Sequence, residues 1–464
     1  MFAPFFKRKR TWLVIAGFVI FAIMLLIMPI EAKQQATEKL DIHSVRIGLG
    51  IFACIAFLWL TEALPLSATA LLVPILAIVT GVFDVKAALS AFAHPLIFIF
   101  FGGFALASAM AYQGVDRWIA NRVVIAGRGS LIVSSALLFS ATAFLSMWMS
   151  NTATTAMMIP LVLGILSQAK SGDDEADHKT AIFLLLGVAY AASVGGIGTI
   201  IGSPPNGIAA KAMGISFIDW MKFGIPSVLL LLPLMFIVLL IVSKPSTKQP
   251  ITINKEKFVF NWHRIAVLLI FACTALAWIF SKKIGAVIGV SKYMDTLIAL
   301  SAVIAVLYFR VVRWRDIDHG TDWGVLLLFG GGLTLSAIMK KTGASLFLAR
   351  GFSDLVADLP IILIVAAVIA FIIFLTELSS NTATAALFVP IFMAVSEQMG
   401  IVPAQLVIPL ALAASCAFML PIATPPNAIV FGTGRIPQKS MMRIGLVLNI
   451  VFIIALTLLS QLIF

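Results

Sequence analysis

Charge is scarce in this chain. Asp, Glu, Lys and Arg make up 11% of its 464 residues, hydrophobic residues 61%, and mean hydropathy is +1.10. A soluble globular protein of this length could not cover its surface with so few charges. Histidine and cysteine are scarcer still. Five His and three Cys show no spacing for a metal site or a nucleophile–base pair, which argues against an intramembrane enzyme. Cys54, Cys273 and Cys416 all lie in apolar segments, so they read as small buried hydrophobes without a disulfide framework. Short segments of alternating polarity are missing as well, which excludes a transmembrane β-barrel.

What the chain does have is a succession of apolar runs near the ~20 residues that cross a bilayer. The sequence therefore predicts an all-α polytopic membrane protein, with the lipid bilayer as its surroundings. The net charge of +12 follows the topology and calls for no nucleic acid. With Lys7-Arg8-Lys9-Arg10 in the cytoplasm and sides alternating at each crossing, 20 of the 32 Lys and Arg fall on the cytoplasmic face. Residues 11–30 run into Met28-Pro29-Ile30-Glu31 without a small-residue cleavage pattern, and read as the first membrane helix, not a signal peptide. The longest polar interruption, 244–261, divides the chain. An N-terminal segment, first helix and loop (1–45) precede a first repeat (46–243), and a second repeat follows (262–464).

The halves carry matching motifs. Ser150-Asn151-Thr152-Ala153-Thr154 recurs as Ser380-Asn381-Thr382-Ala383-Thr384, and Pro160 and Pro390 follow at equal distances. Phe101-Gly102-Gly103 matches Phe329-Gly330-Gly331. Ala191-Ala192-Ser193 with Ser203-Pro204-Pro205-Asn206 matches Ala413-Ala414-Ser415 with Thr424-Pro425-Pro426-Asn427. Between the two Ser-Asn-Thr copies the chain crosses the membrane five times by this reading, so the second copy enters from the opposite face. That is an inverted-topology repeat, the plan of many secondary transporters. Each Ser-Asn-Thr either caps a full hairpin at the membrane surface or forms the tip of a re-entrant hairpin.

Polar groups this deep in apolar runs are expensive unless they serve a ligand. Hydroxyls and an amide at a hairpin tip sit beside a helix N-terminus, where free N–H groups and the positive dipole end favour carboxylates. Pro-Pro breaks a helix and frees upstream carbonyls, which with Ser, Thr and Asn oxygens suit an alkali cation. No Lys or Arg lies within about fifteen residues of the first Ser-Asn-Thr, so a bound dianion would need co-bound cations. Glu377, three residues before Ser380, either titrates or bonds backbone near the tip. Glu62 and His94 sit at segment ends, and Trp59, Trp148 and Trp323 read as interfacial anchors. The amphipathic stretches Arg117–Arg128 and Ser345–Leu355 read as helices in the interface plane or as connectors.

The paired Ser-Asn-Thr segments, each followed by Ser/Thr-Pro-Pro-Asn, resemble the divalent-anion:sodium symporter family, and its bacterial INDY-like dicarboxylate transporters in particular. The resemblance implies about 11 transmembrane helices, two re-entrant helical hairpins (about 130–168 and 359–396) and two broken helices (about 180–210 and 405–432). It also implies a homodimer in the bacterial inner membrane, with its N-terminus cytoplasmic, working as an elevator. One Na⁺ would sit near Ser146, Ser150, Asn151 and Gly202, and a second near Thr376, Ser379, Asn381 and Ala423. Substrate would meet Ser150, Asn151, Thr152, Ser380, Asn381, Thr382, Thr424 and Pro425, with Ser203 as the counterpart of Thr424. The expected activity is Na⁺-coupled symport of C4-dicarboxylates such as succinate, malate or fumarate. A sodium-independent exchanger and a citrate or sulfate symporter are the alternatives.

Overall fold

A computed structural model describes residues 3–27, 41–127, 130–168, 173–246, 261–290 and 292–463. Arg128, Lys170, positions 247–260 of the linker and the side chains of Lys7, Arg8 and Lys9 lie outside the described residues. The first half opens with α1 (Ala3–Ile27), α2 (Ile42–Thr61) and α3 (Leu66–Val79). A short α4 (Val85–Ser90) leads to α5 (Pro95–Gln113) and the amphipathic α6 (Val115–Ile125). Helices α7 (Leu131–Ser146) and α8 (Asn151–Gln168) form a hairpin. Then α9 (Asp174–Gly196) stops, and the chain resumes as α10 (Pro204–Met213) and α11 (Phe217–Ser243).

The second half repeats this order. It runs through α12 (Trp262–Ile279), short α13 (Ser281–Ile288), α14 (Met294–Tyr308), short α15 (Trp314–Gly320), α16 (Trp323–Lys341) and α17 (Ala344–Val356). A second hairpin, α18 (Ile361–Thr376) and α19 (Asn381–Met399), precedes a second broken helix, α20 (Ala404–Ala413) and α21 (Pro425–Phe431), and α22 (Gln438–Ile463) closes the chain. No strand occurs among the described residues. With each hairpin returning to its own side and each broken helix crossing once, eleven crossings remain among the described residues: α1, α2, α3, α5, α9–α10, α11, α12, α14, α16, α20–α21 and α22.

The repeated motifs have local causes. Phe-Gly-Gly lets helices touch backbone to backbone, the small-residue packing used in membranes. A Cβ on Gly102 would lie 2.8 Å from Ala299 O of α14, and one on Gly331 2.6 Å from Ala70 O of α3. Thus α5 packs on α14 and α16 on α3, each arm joining the two halves. Pro204 and Pro425 sit in the first turn of α10 and α21, where a missing N–H costs nothing. The broken helices then cross over. α10 of the first half packs on α19 and α20 of the second, and α21 packs on α8 and α9 of the first. α9 is the centre and almost wholly buried, whereas α12 faces outward.

Several surface expectations change. Trp59 is fully buried, its Nε1 donating to Leu66 O at 3.2 Å. Trp148, at the first hairpin tip, stacks on Trp278 with 7° between ring planes. Aromatic packing at the hairpin outcompetes interfacial anchoring there, while Trp323 stays half exposed. Cys273 is exposed on α12, because the apolar face of that helix points outward.

Candidate functional site

Both hairpin tips and both helix breaks border one cavity of about 900 Å³. Loops at opposite membrane surfaces could not share a cavity, so the hairpins are re-entrant. Ser150, Asn151 and Thr152 come from the first tip, and Ser379, Ser380, Asn381 and Thr382 from the second. Gly202 and Ser203 come from the first break, and Ala423, Thr424 and Pro425 from the second. Ser146 and Thr376 are buried one layer behind, as the last residues of α7 and α18.

The helix ends sort the chemistry. α8, α10, α19 and the shorter α21 all start at the cavity with their positive dipole ends toward it; α8 and α19 also bring backbone N–H groups, whereas α10 and α21 open with Pro-Pro. α7, α9, α18 and α20 end close by and bring their carbonyl ends. The cavity is therefore anion-seeking at its centre and cation-seeking in two flanking clusters. Among the described residues no Lys, Arg or His lines it, and the only charged lining residues are Glu62 and Asp322 at its mouth.

The two clusters match position by position. In the second, Thr376 Oγ1 lies 2.6 Å from Asn381 Oδ1 and 3.2 Å from Ala414 O. In the first, one terminal atom of the Asn151 carboxamide lies 2.6 Å from Ser146 Oγ, 3.0 Å from Ala192 O and 3.2 Å from Gly202 O. If that atom is the amide nitrogen, it donates to these oxygens. With the nitrogen there the side chain is satisfied, and the oxygens of Ser146, Ala192 and Gly202 gathered around it are of the uncharged kind that an alkali ion takes. The Ala192 and Ala414 carbonyls were not singled out from sequence, although their Ala-Ala-Ser triplets lie within the matched motifs.

Other predicted residues divide between ligand-facing and supporting places. Thr152 is exposed to the cavity, Thr382 is nearly buried, and Pro425 is exposed. Ser150 Oγ accepts from Ala153 N at 3.2 Å, and Thr424 Oγ1 accepts from Asn427 N at 3.2 Å; each hydroxyl keeps its own proton to donate. Ser203 Oγ lies 2.9 Å from Ser415 Oγ, a contact between the halves. Ser379 Oγ is turned away, 3.0 Å from Leu375 O and 2.8 Å from Thr384 Oγ1.

The breaks are held by side chains that use up freed backbone groups. Asn206 Nδ2 donates to Gly196 O (2.9 Å) and Thr199 O (2.7 Å), and Asn427 Nδ2 to Ala417 O (3.1 Å) and Leu420 O (3.0 Å). The Asn of each Pro-Pro-Asn is thus a staple across its break. Glu377 does the same for donors. Its carboxylate accepts from Phe418 N (2.7 Å), Met419 N (2.9 Å), Leu420 N (3.1 Å) and Asn449 Nδ2 (2.8 Å). It bonds the backbone of the second break, not of its own tip.

Comparisons with known proteins agree with this architecture. Residues 6–463 match the sodium:sulfate symporter transmembrane region. An uncharacterised transporter of Haemophilus influenzae is 46% identical over 457 residues, covering 97% of this chain and 96% of its own. The sodium-dependent dicarboxylate transporter SdcS of Staphylococcus saprophyticus is 35% identical over 444 residues, covering 88% and 84%. Among solved structures, the YdaH transporter of Alcanivorax borkumensis superposes with a TM-score of 0.58 at 14% identity, over 99% of this chain and 98% of that one. At that identity the likeness concerns the fold alone.

Proposed function

The chain belongs to the sodium:sulfate symporter family, the divalent-anion:sodium symporters, and from that premise we propose that it carries C4-dicarboxylates into the cell with Na⁺. It is a transporter and not an enzyme. The observation that carries the substrate reading is a cavity where helix N-termini converge without one fixed cation on its walls. Dicarboxylate transport is what the name of the Staphylococcus relative states of that protein.

Na⁺ enters first in this reading. Asn151, Ser146, Ser150 and the Gly202 carbonyl hold one ion; Asn381, Thr376 and the carbonyls of Ser379 and Ala423 hold the other. Two monovalent ions then supply what the walls lack. A unit charge ~4 Å from a carboxylate contributes about 4 kcal/mol at an effective dielectric of ~20. The dianion is taken by the hydroxyls of Ser150, Thr152, Ser380, Thr382 and Thr424 and the amides of Asn151 and Asn381. Pro425 lies against its carbon chain, and Ser203 adds a weaker contact.

The two hairpins, the broken helices, α11 and α22 then move together against the arms formed by α3, α5, α14 and α16, as an elevator within a homodimer. With the N-terminus cytoplasmic in the bacterial inner membrane, the mouth at Glu62 and Asp322 opens to the cytoplasm and the structure faces inward.

Radiolabelled succinate uptake into proteoliposomes, with an inward Na⁺ gradient against an equal K⁺ gradient, tests the reading. Uptake with Na⁺ alone supports symport. Uptake indifferent to Na⁺ but dependent on internal dicarboxylate makes the protein an exchanger. Uptake of citrate or sulfate in place of succinate moves the substrate within the family.

A further inference from the structure

A second cavity, of about 680 Å³, lies back to back with the first. Ile200 lines one and Ile201 the other, so the first break is the wall between them; Ile99 and Phe100 of α5 divide in the same way. The two open at opposite ends of the molecule. α3 begins at the first cavity and leads the chain toward the second, and α14 begins at the second and leads back. Corresponding parts of the repeat line both. The starts of α3 and α16 border the first, and the starts of α14 and α5 border the second.

Their charges are opposite. The first has Glu62 and Asp322 and no basic residue. The second has Lys211, Lys282, Lys292 and His94 facing Asp219 and Asp295. Asp219 is already neutralised by Lys282 and Lys222, each at 2.8 Å. Asp295 Oδ2 accepts from Phe217 N at 3.1 Å. Lys211 and Lys292 carry no ion pair among the described residues.

The inversion is sharpest at one pair of equivalent positions. His94 caps α5 through Nδ1, accepting from Leu96 N at 3.1 Å; Asp322 caps α16, with Oδ1 accepting from Val325 N at 3.1 Å. The same structural duty is done by a base in one half and an acid in the other. Because His94 Nδ1 accepts, the ring proton resides on Nε2, and that atom is buried at the cavity without a partner among the described residues.

We propose that the second cavity is a recruitment site for the carboxylate dianion, with Lys211, Lys292 and the His94 Nε2–H as its contacts, and that the opposed charges of the two cavities favour import. The inference rests on the proposed dicarboxylate function and on a cytoplasmic N-terminus. A dianion arriving at the outer cavity meets three lysines against Asp219 and Asp295, a net positive charge, before it reaches the Na⁺-dependent site. At the inner mouth, Glu62 and Asp322 repel it and discourage rebinding.

The test measures succinate KM and Vmax separately from each side, in proteoliposomes of zwitterionic lipid whose orientation is scored by protease access to an N-terminal tag. Na⁺ is held constant while choline chloride sets the ionic strength. Wild type is compared with the Lys211→Gln/Lys292→Gln and Lys211→Arg/Lys292→Arg pairs. The Gln pair is expected to raise the outer KM about fivefold at low ionic strength, less at high, with Vmax and the inner KM unchanged. The Arg pair is expected to restore the outer KM. An unchanged outer KM, or a fall in Vmax from both sides, overturns the proposal. Wild-type uptake is the separate check on the underlying function: a protein that carries another divalent anion is tested with that anion, and one that carries none overturns both readings.

Discussion

Glu377 Oε1 lies 2.8 Å from Asn449 Nδ2, so one carboxylate ties the second hairpin tip to the last helix while it also holds three backbone N–H groups of the second break. Glu377→Gln puts an NH₂ where those donors need an acceptor. A buried donor left without its partner costs about 1–3 kcal/mol. The variant is expected to melt several degrees lower in detergent and to transport more slowly. An unchanged Tm would remove the carboxylate from its role as a brace.

Gly202 has no room for a side chain. A Cβ there would lie 2.5 Å from Gly196 O and 3.0 Å from Ser146 O, both backbone atoms that cannot step aside. Gly202→Ala is expected to abolish Na⁺-driven uptake, whereas Ala423→Gly at the matching position retains it. Equal uptake by Gly202→Ala and wild type would contradict the packing of the first break.

Asn151→Ala and Asn381→Ala each delete the side chain shared by a cation cluster and the cavity. Ligand that binds only the folded protein raises its stability in proportion to the logarithm of its concentration over Kd. Wild type is expected to melt higher as Na⁺ replaces K⁺, and each Ala variant to lose most of that shift along with transport. A full Na⁺ shift in both variants would move the cation sites elsewhere.

Thr152→Val and Thr382→Val keep the shape of the tips and remove a hydroxyl. One hydrogen bond to a charged group contributes about 1.5–3 kcal/mol, so succinate KM is expected to rise at least tenfold in each. The Na⁺ thermal shift should survive, because neither hydroxyl belongs to the cation clusters. Its loss would mean that these threonines hold ions and not substrate.

The repeat and the tips were legible in the sequence because each polar motif stands alone in apolar surroundings and occurs twice. Ser150, Asn151, Thr152, Ser380, Asn381, Thr382, Gly202, Ala423, Thr424 and Pro425 all border the cavity. Less legible was anything that depends on which distant atoms meet. Glu377 could be read as bonded to backbone, but its backbone partners lie about forty residues away in the second helix break. Ser379 is adjacent to the motif, yet Thr384 captures its hydroxyl one helical turn on. The Trp positions misled because a residue at a segment end can face a hairpin tip instead of the bilayer surface. The second cavity was hidden because its charges come from several unconnected elements.

The crossed packing of α10 on α19 and α20, and of α21 on α8 and α9, bears on how the molecule is made. Each half lends the other a piece, like two clasped hands, so neither has a complete interior while it emerges from the ribosome. The first Pro-Pro turn must wait in the membrane until more than 200 further residues have been inserted. Long waits of this kind slow folding, because distant contacts form only after their loop entropy has been met. A truncated product would therefore display unpaired backbone in lipid and become a target for membrane quality control before it could work as a leaky pore.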